Sequence, residues 1–181
     1  MKTQSSLLVS LFSALALLLA GCGGEQENPQ ASAPAEDGST ALSETIVLAE
    51  APPEATPVGQ ARQEFQPEQA IAVVGQVGGT LKPISESFAS FVIADEEVYF
   101  CDEMPEDHCS TPWDACCEDP DKLAANRASV VFVDGEGQPL RGNLKNSLGL
   151  AELDKVAVKG KVAPESTPGN LVIHATGLYS Y

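Results

Sequence analysis

Val156, Val158, Gly160 and Val162 share one parity in the chain, and Ala157, Lys159 and Lys161 share the other. Successive side chains of a strand point to opposite faces, so this two-residue period turns an apolar face inward and a charged face outward. The same period governs Ile71, Val73, Gly75 and Val77, and it returns where Leu171, Ile173 and Ala175 alternate with Val172, His174 and Thr176. Phe88 to Ala94 is a further apolar run; Asp95-Glu96-Glu97 reads as a turn, after which Val98-Tyr99-Phe100-Cys101 is expected to resume the strand. Ser129 to Val133 is another strand, stopped by the hairpin-like Asp134-Gly135-Glu136-Gly137. Five strands restrict residues 67–181 to a small, mainly β domain. Its one short helix is expected within Ser147 to Asp154, capped by Asn146 or Ser147.

This order of elements resembles the OB-fold, a small Greek-key barrel. The residues that carry the resemblance are Val73-Val74-Gly75-Gln76-Val77, the block from Leu153 to Val162, and Gly169 to Ala175. In the middle block a polar turn leads into V-x-V-x-G-x-V, a pattern in which glycine lets a strand coil sharply. The resemblance implies a five-stranded OB-like Greek-key barrel.

The first 21 residues have the form of an export leader. Met1-Lys2 supplies a short positive start, and Leu7 to Ala20 is an apolar run too short to span a bilayer comfortably. It ends in Leu19-Ala20-Gly21-Cys22, which resembles the lipobox of bacterial lipoprotein precursors. The resemblance implies cleavage before Cys22, acylation of its thiol (palmitate-type chains) and attachment to a lipid membrane. By the same resemblance Gly23, rather than Asp, at the second mature position favours the outer membrane of a cell envelope, facing the periplasm or the exterior. Residues 22–66 then read as a disordered tether, rich in Pro, Ala, Glu, Gln and Ser and without an aromatic before Phe65. Such a tether has an r.m.s. span of about 35–40 Å. Ile46-Val47-Leu48 interrupts it; the run could dock on the domain, but a sticky spot in a free tether is the expectation.

Cys22 aside, four cysteines remain, and all lie in one segment: Cys101, Cys109, Cys116 and Cys117. An exported protein meets oxidising surroundings, so two disulfides are the first reading. A bond between the adjacent Cys116 and Cys117 would be strained. That leaves Cys101–Cys116 with Cys109–Cys117, or Cys101–Cys117 with Cys109–Cys116. Each bridge closes a loop of about 8–17 residues, worth roughly 2–3 kcal/mol. The alternative is a zinc or copper site built from the four thiolates with His108 as a further ligand. From Asp95 to Asp121 there are eleven acids and no Lys or Arg, so something covalent or cationic is expected to hold this loop, residues 101–121, in shape. The single tryptophan, Trp113, either packs over the cysteines, the expected reading, or contacts a ligand.

The net charge of −16 argues against a nucleic-acid partner, because phosphate backbones are repelled. No nucleophile elbow, phosphate loop or metal-protease helix is present, and the acidic pair Glu96-Glu97 reads as a solvated turn. His174, on the closing strand, reads as a surface histidine. The stretch His174 to Tyr179 exceeds by one residue the H-x-x-x-Y of membrane-anchored haem chaperones, which also carry a small OB-like barrel, so no haem is expected. The sequence therefore points to a non-catalytic envelope lipoprotein without a cofactor. Its braced acidic loop is presented to an envelope protein or small ligand; the alternative is a metal-handling protein.

Overall fold

The structure, a computed structural model, describes residues 46–103 and 109–181. The expected leader, Cys22, the first part of the tether and His108 lie outside the described residues. Five strands close a barrel: β2 (Ala70–Val77), β3 (Ser90–Ala94), β4 (Arg127–Phe132), β5 (Lys155–Val162) and β6 (Leu171–Ser180). A short strand β1 (Thr56–Pro57) precedes them. The order is β2-β3-β4-β6-β5, and the antiparallel pairing of β2 with β5 from Ala70↔Lys161 to Gln76↔Lys155 closes the ring. β4 and β6 run parallel, from Ala128↔Leu171 to Phe132↔Ala175. This is the Greek-key connection of an OB-like barrel, with the strand fourth in sequence inserted beside the first.

The alternation seen in the sequence sets what is inside. Val73, Val77, Phe91, Ile93, Val130, Phe132, Val156, Val158, Leu171 and Ile173 fill the barrel and are all buried. Gly160 sits at a register shift between Lys159 and Gly160, where β5 passes tightly across β6. A Cβ at Gly160 would stand 2.3 Å from the His174 carbonyl oxygen, so the strand can coil there only without a side chain.

Among the described residues three short helices stand where one was expected. α1 is Val58–Gln63, α2 is Pro120–Ala125 and α3 is Leu144–Leu148. α3 starts earlier than the sequence suggested, because Asn143, not Asn146 or Ser147, caps it: the Asn143 side chain accepts from the Asn146 N–H at 3.2 Å. Gly149 ends the helix in the left-handed conformation (φ 70°), which removes Ala151 to Asp154 from it. After β3 the chain also does not resume as a strand. Val98 and Phe100 turn inward, and Cys101–Glu103 is a single 3₁₀ turn.

Residues ahead of Pro67, placed in the tether by the sequence, also pack on the barrel. Ile46 is buried, Val47 bridges Leu178 in parallel, and the Leu48 N–H donates to the Leu178 carbonyl at 2.8 Å. Leu48 covers Gly177, where a Cβ would stand 2.6 Å from a Leu48 methyl. β1 then pairs in parallel with Val73 and Val74 of β2. The buried carboxylate of Asp95 accepts from the Val58 and Gly59 N–H groups at the start of α1. Desolvation raises the Asp95 pKa above the usual carboxylate range, against the lowering effect of those two donors. Residues 46–66 thus lie on the barrel instead of forming a free tether. Among the described residues no helix is long and apolar enough to cross a membrane.

A candidate thiol metal centre

The cysteine loop joins β3 to β4 and is held to the barrel by a small apolar cluster of its own. Ala94, Val98, Phe100 and Ala115 are buried together, with Leu123 and Leu153 against them. Burial of Phe100 and of Ala115 fixes the residue that follows each, Cys101 and Cys116. A short backbone ladder does the rest: the Cys101 N–H donates to the Asp114 carbonyl at 2.8 Å, and the Asp102 N–H to that of Pro112 at 3.0 Å. The Gly79 N–H donates to the Trp113 carbonyl at 2.9 Å, tying the loop to the end of β2.

The sulfurs of Cys101, Cys109 and Cys116 consequently lie within 4.8 Å of one another. Cys101 is 3 % exposed, Cys109 is half-buried and Cys116 is exposed, so the triad runs from the interior to the surface. The Cys101 and Cys116 sulfurs stand 3.5 Å apart, and those of Cys116 and Cys117 3.8 Å apart. These are contacts, not bonds, since a disulfide measures about 2.05 Å. Of the two pairings the sequence left open, the Cys101–Cys116 bridge of the first is therefore not formed. The apolar cluster and the backbone ladder hold the described parts of the loop on either side of residues 104–108.

Burial, followed by the neighbouring sulfurs of Cys116 and Cys109, pushes the Cys101 thiol up to about 12. The Cys109 thiol is instead held below its ordinary value, first by the Thr111 hydroxyl, 3.4 Å from its sulfur. The two thiols thus differ in character: one keeps its proton, and its neighbour gives one up more readily.

Two lysines meet acids of the stretch from Asp95 to Asp121. Lys122, reaching back from α2, donates to Glu118 at 2.7 Å. With the Tyr99 and Asp119 N–H groups it holds the Glu118 carboxyl down at about 2. Lys155 pairs with Glu96 at 2.5 Å. Both cations lie outside the stretch of sequence that lacks them.

Trp113 is tied to the chain that follows β2. Its indole N–H donates to the Leu81 carbonyl at 3.1 Å, and the half-buried ring lines a groove of about 410 Å³ with Leu81, Ile84 and Thr111. His174 is removed from the loop: its Nε2 lies 3.2 Å from Glu165 on the surface of β6.

Sequence reasoning overlooked a cleft of about 810 Å³ between α1 and α2, lined by Gln60, Arg62, Asp95, Asn126 and Lys155 among others. Its α1 wall belongs to the segment read as tether, so no pattern announced it. Arg62 spans that side of the molecule by donating to the Arg127 and Pro168 carbonyls.

Comparison of the chain with family models, with curated proteins and with solved structures finds no match.

Proposed function

We propose that the protein is a non-catalytic, lipid-anchored envelope lipoprotein that handles a soft metal ion at the thiol cluster, copper(I) ahead of zinc. The convergence of the Cys101, Cys109 and Cys116 sulfurs within 4.8 Å carries this reading. Three sulfurs bound to one metal at about 2.3 Å stand about 3.8–4.0 Å apart, so the triad needs only small rotations to close on an ion. Thiolates select copper(I) and zinc over harder cations. Three described sulfurs already suffice for copper(I), which thiolates favour, whereas structural zinc would call for a fourth ligand. Nearby carboxylates add long-range attraction for any cation. Binding releases thiol protons, so uptake should strengthen as pH rises.

The 3.5 Å contact between Cys101 and Cys116 supports a second reading, in which oxidation makes a disulfide brace and the loop presents Trp113 to an envelope protein or small ligand. One experiment separates the two: thiol counting with elemental analysis on the mature protein, followed by anaerobic Cu(I) titration of the reduced form. The expected result is one Cu(I) per chain, with affinity at least about tenfold weaker in Cys101→Ser and Cys116→Ser. Fully oxidised cysteines as isolated, together with no Cu(I) retained after reduction, would favour the brace.

The anchor is tested independently. Cys22→Ser is expected to move the protein from washed membranes to the soluble fraction, because lipid, not a basic patch, holds so acidic a chain. A variant that stays bound after washing would remove the lipid assignment.

A further inference from the structure

We infer that Cys117 is the exchange ligand of the thiol cluster, the sulfur through which the metal passes between the triad and a second thiol-bearing carrier. This rests on the metal reading above.

The sulfurs form a ladder from inside to outside. Cys116 is its middle rung, 3.5 Å from buried Cys101 on one side and 3.8 Å from exposed Cys117 on the other. Cys117 lies outside the group whose sulfurs are mutually within 4.8 Å, so it is not one of the three resident ligands. The backbone on either side of the pair is fixed. Ala115 is fully buried before it, and Glu118 follows it, tied to the Tyr99 N–H at 2.9 Å and to Lys122. Rotation about the side-chain bonds of Cys116 and Cys117 is therefore the available motion, and it moves sulfur between the triad and solvent. The exposed pair is open to a carrier approaching from solvent, whereas buried Cys101 is out of its reach.

The step conserves ligands and charge. The Cys117 thiol gives up its proton and its sulfur bonds the metal; the bond from the metal to Cys101 breaks, and the Cys101 sulfur takes a proton. Three metal–sulfur bonds exist before and after, and no electron is transferred. Thiolates of the carrier then displace the remaining protein sulfurs one at a time in the same way, each incoming sulfur losing a proton and each departing protein sulfur taking one.

The test compares the whole mature protein with its Cys117→Ser and Cys116→Ser variants, each loaded with Cu(I) under anaerobic conditions. Affinity comes from competition with the chelator bicinchoninate, and release is followed on addition of excess dithiothreitol as the dithiol acceptor. Cys117→Ser is expected to keep one Cu(I) with affinity within about threefold of the parent while release slows about tenfold or more. Cys116→Ser is expected to lose affinity outright. Equal release rates in Cys117→Ser and the parent would overturn the exchange role alone. An affinity loss as large as that of Cys116→Ser would make Cys117 a resident ligand and also overturn it. If the parent takes up no Cu(I), the metal reading itself falls and this inference with it.

Discussion

Replacing Gly160 with valine is expected to leave the barrel unfolded at ordinary temperatures, and even alanine should lower the melting temperature by more than about 10 °C. A Cβ at this position would meet the His174 carbonyl oxygen at 2.3 Å and the Ala175 Cα at 2.9 Å. Both obstacles are backbone atoms of β6, so no rotamer change removes the clash. The two strands would have to separate at the register shift that lets β5 coil. β5 is also the strand that closes the ring against β2, so the disturbance reaches both sides of the seam. Overpacking alone costs about 1–3 kcal/mol and occasionally more; a domain of this size has about 5–15 kcal/mol in total. Thermal denaturation followed by circular dichroism checks this, and a Gly160→Ala melting temperature within about 2 °C of the parent would show that β6 yields far more easily than the geometry allows.

The second large effect is expected from Phe100→Ala. Phe100 is 1 % exposed and is the largest side chain of the small cluster under the cysteine loop. Its ring packs so closely on the end of β2 that a Cβ on Gly78 would stand 2.5 Å from Phe100 Cε1. Removing it leaves a cavity that few neighbours can fill, and a buried Phe→Ala change costs about 3–5 kcal/mol. The damage should fall first on the loop, because Cys101 follows directly and depends on that burial for its place. Denaturant unfolding should show the stability loss, and Cu(I) affinity should fall by about tenfold or more. A variant of unchanged stability would mean that the cluster does not hold the loop.

The barrel was legible because its strands carry strict alternation: Val156 to Val162 and Leu171 to Ala175 could satisfy no other period. Elements that depend on a partner were not. Val98 and Phe100 continue the apolar alternation of a strand, yet they turn into their own cluster, since Ala115 and Leu123 offer an apolar surface there. Ile46, Leu48 and Val58 are too widely spaced among prolines and acids to signal order, and the barrel supplies what they lack: a groove over Gly177, a strand edge at Val73 and the Asp95 carboxylate. The cysteines were recognisable as a candidate site, but the geometry of their cluster was not. Which sulfurs meet depends on a ladder between Cys101–Asp102 and Pro112–Asp114, and nothing in the spacing of the four residues encodes it. Loop compensation was also partly hidden, because Lys122 and Lys155 come from α2 and β5.

The pairing of Val47 with Leu178 brings the start and the finish of the described fold to neighbouring points on one rim, three residues from Tyr181. A short Gly-Ser bridge from Tyr181 to Ile46 would therefore leave every strand pairing in place, and new ends could be opened in the exposed turn at Gly135. By the same proximity, a purification tag on Tyr181 would crowd the rim that carries Ile46 and Val47, so a label there would report on that rim rather than on a distant pole.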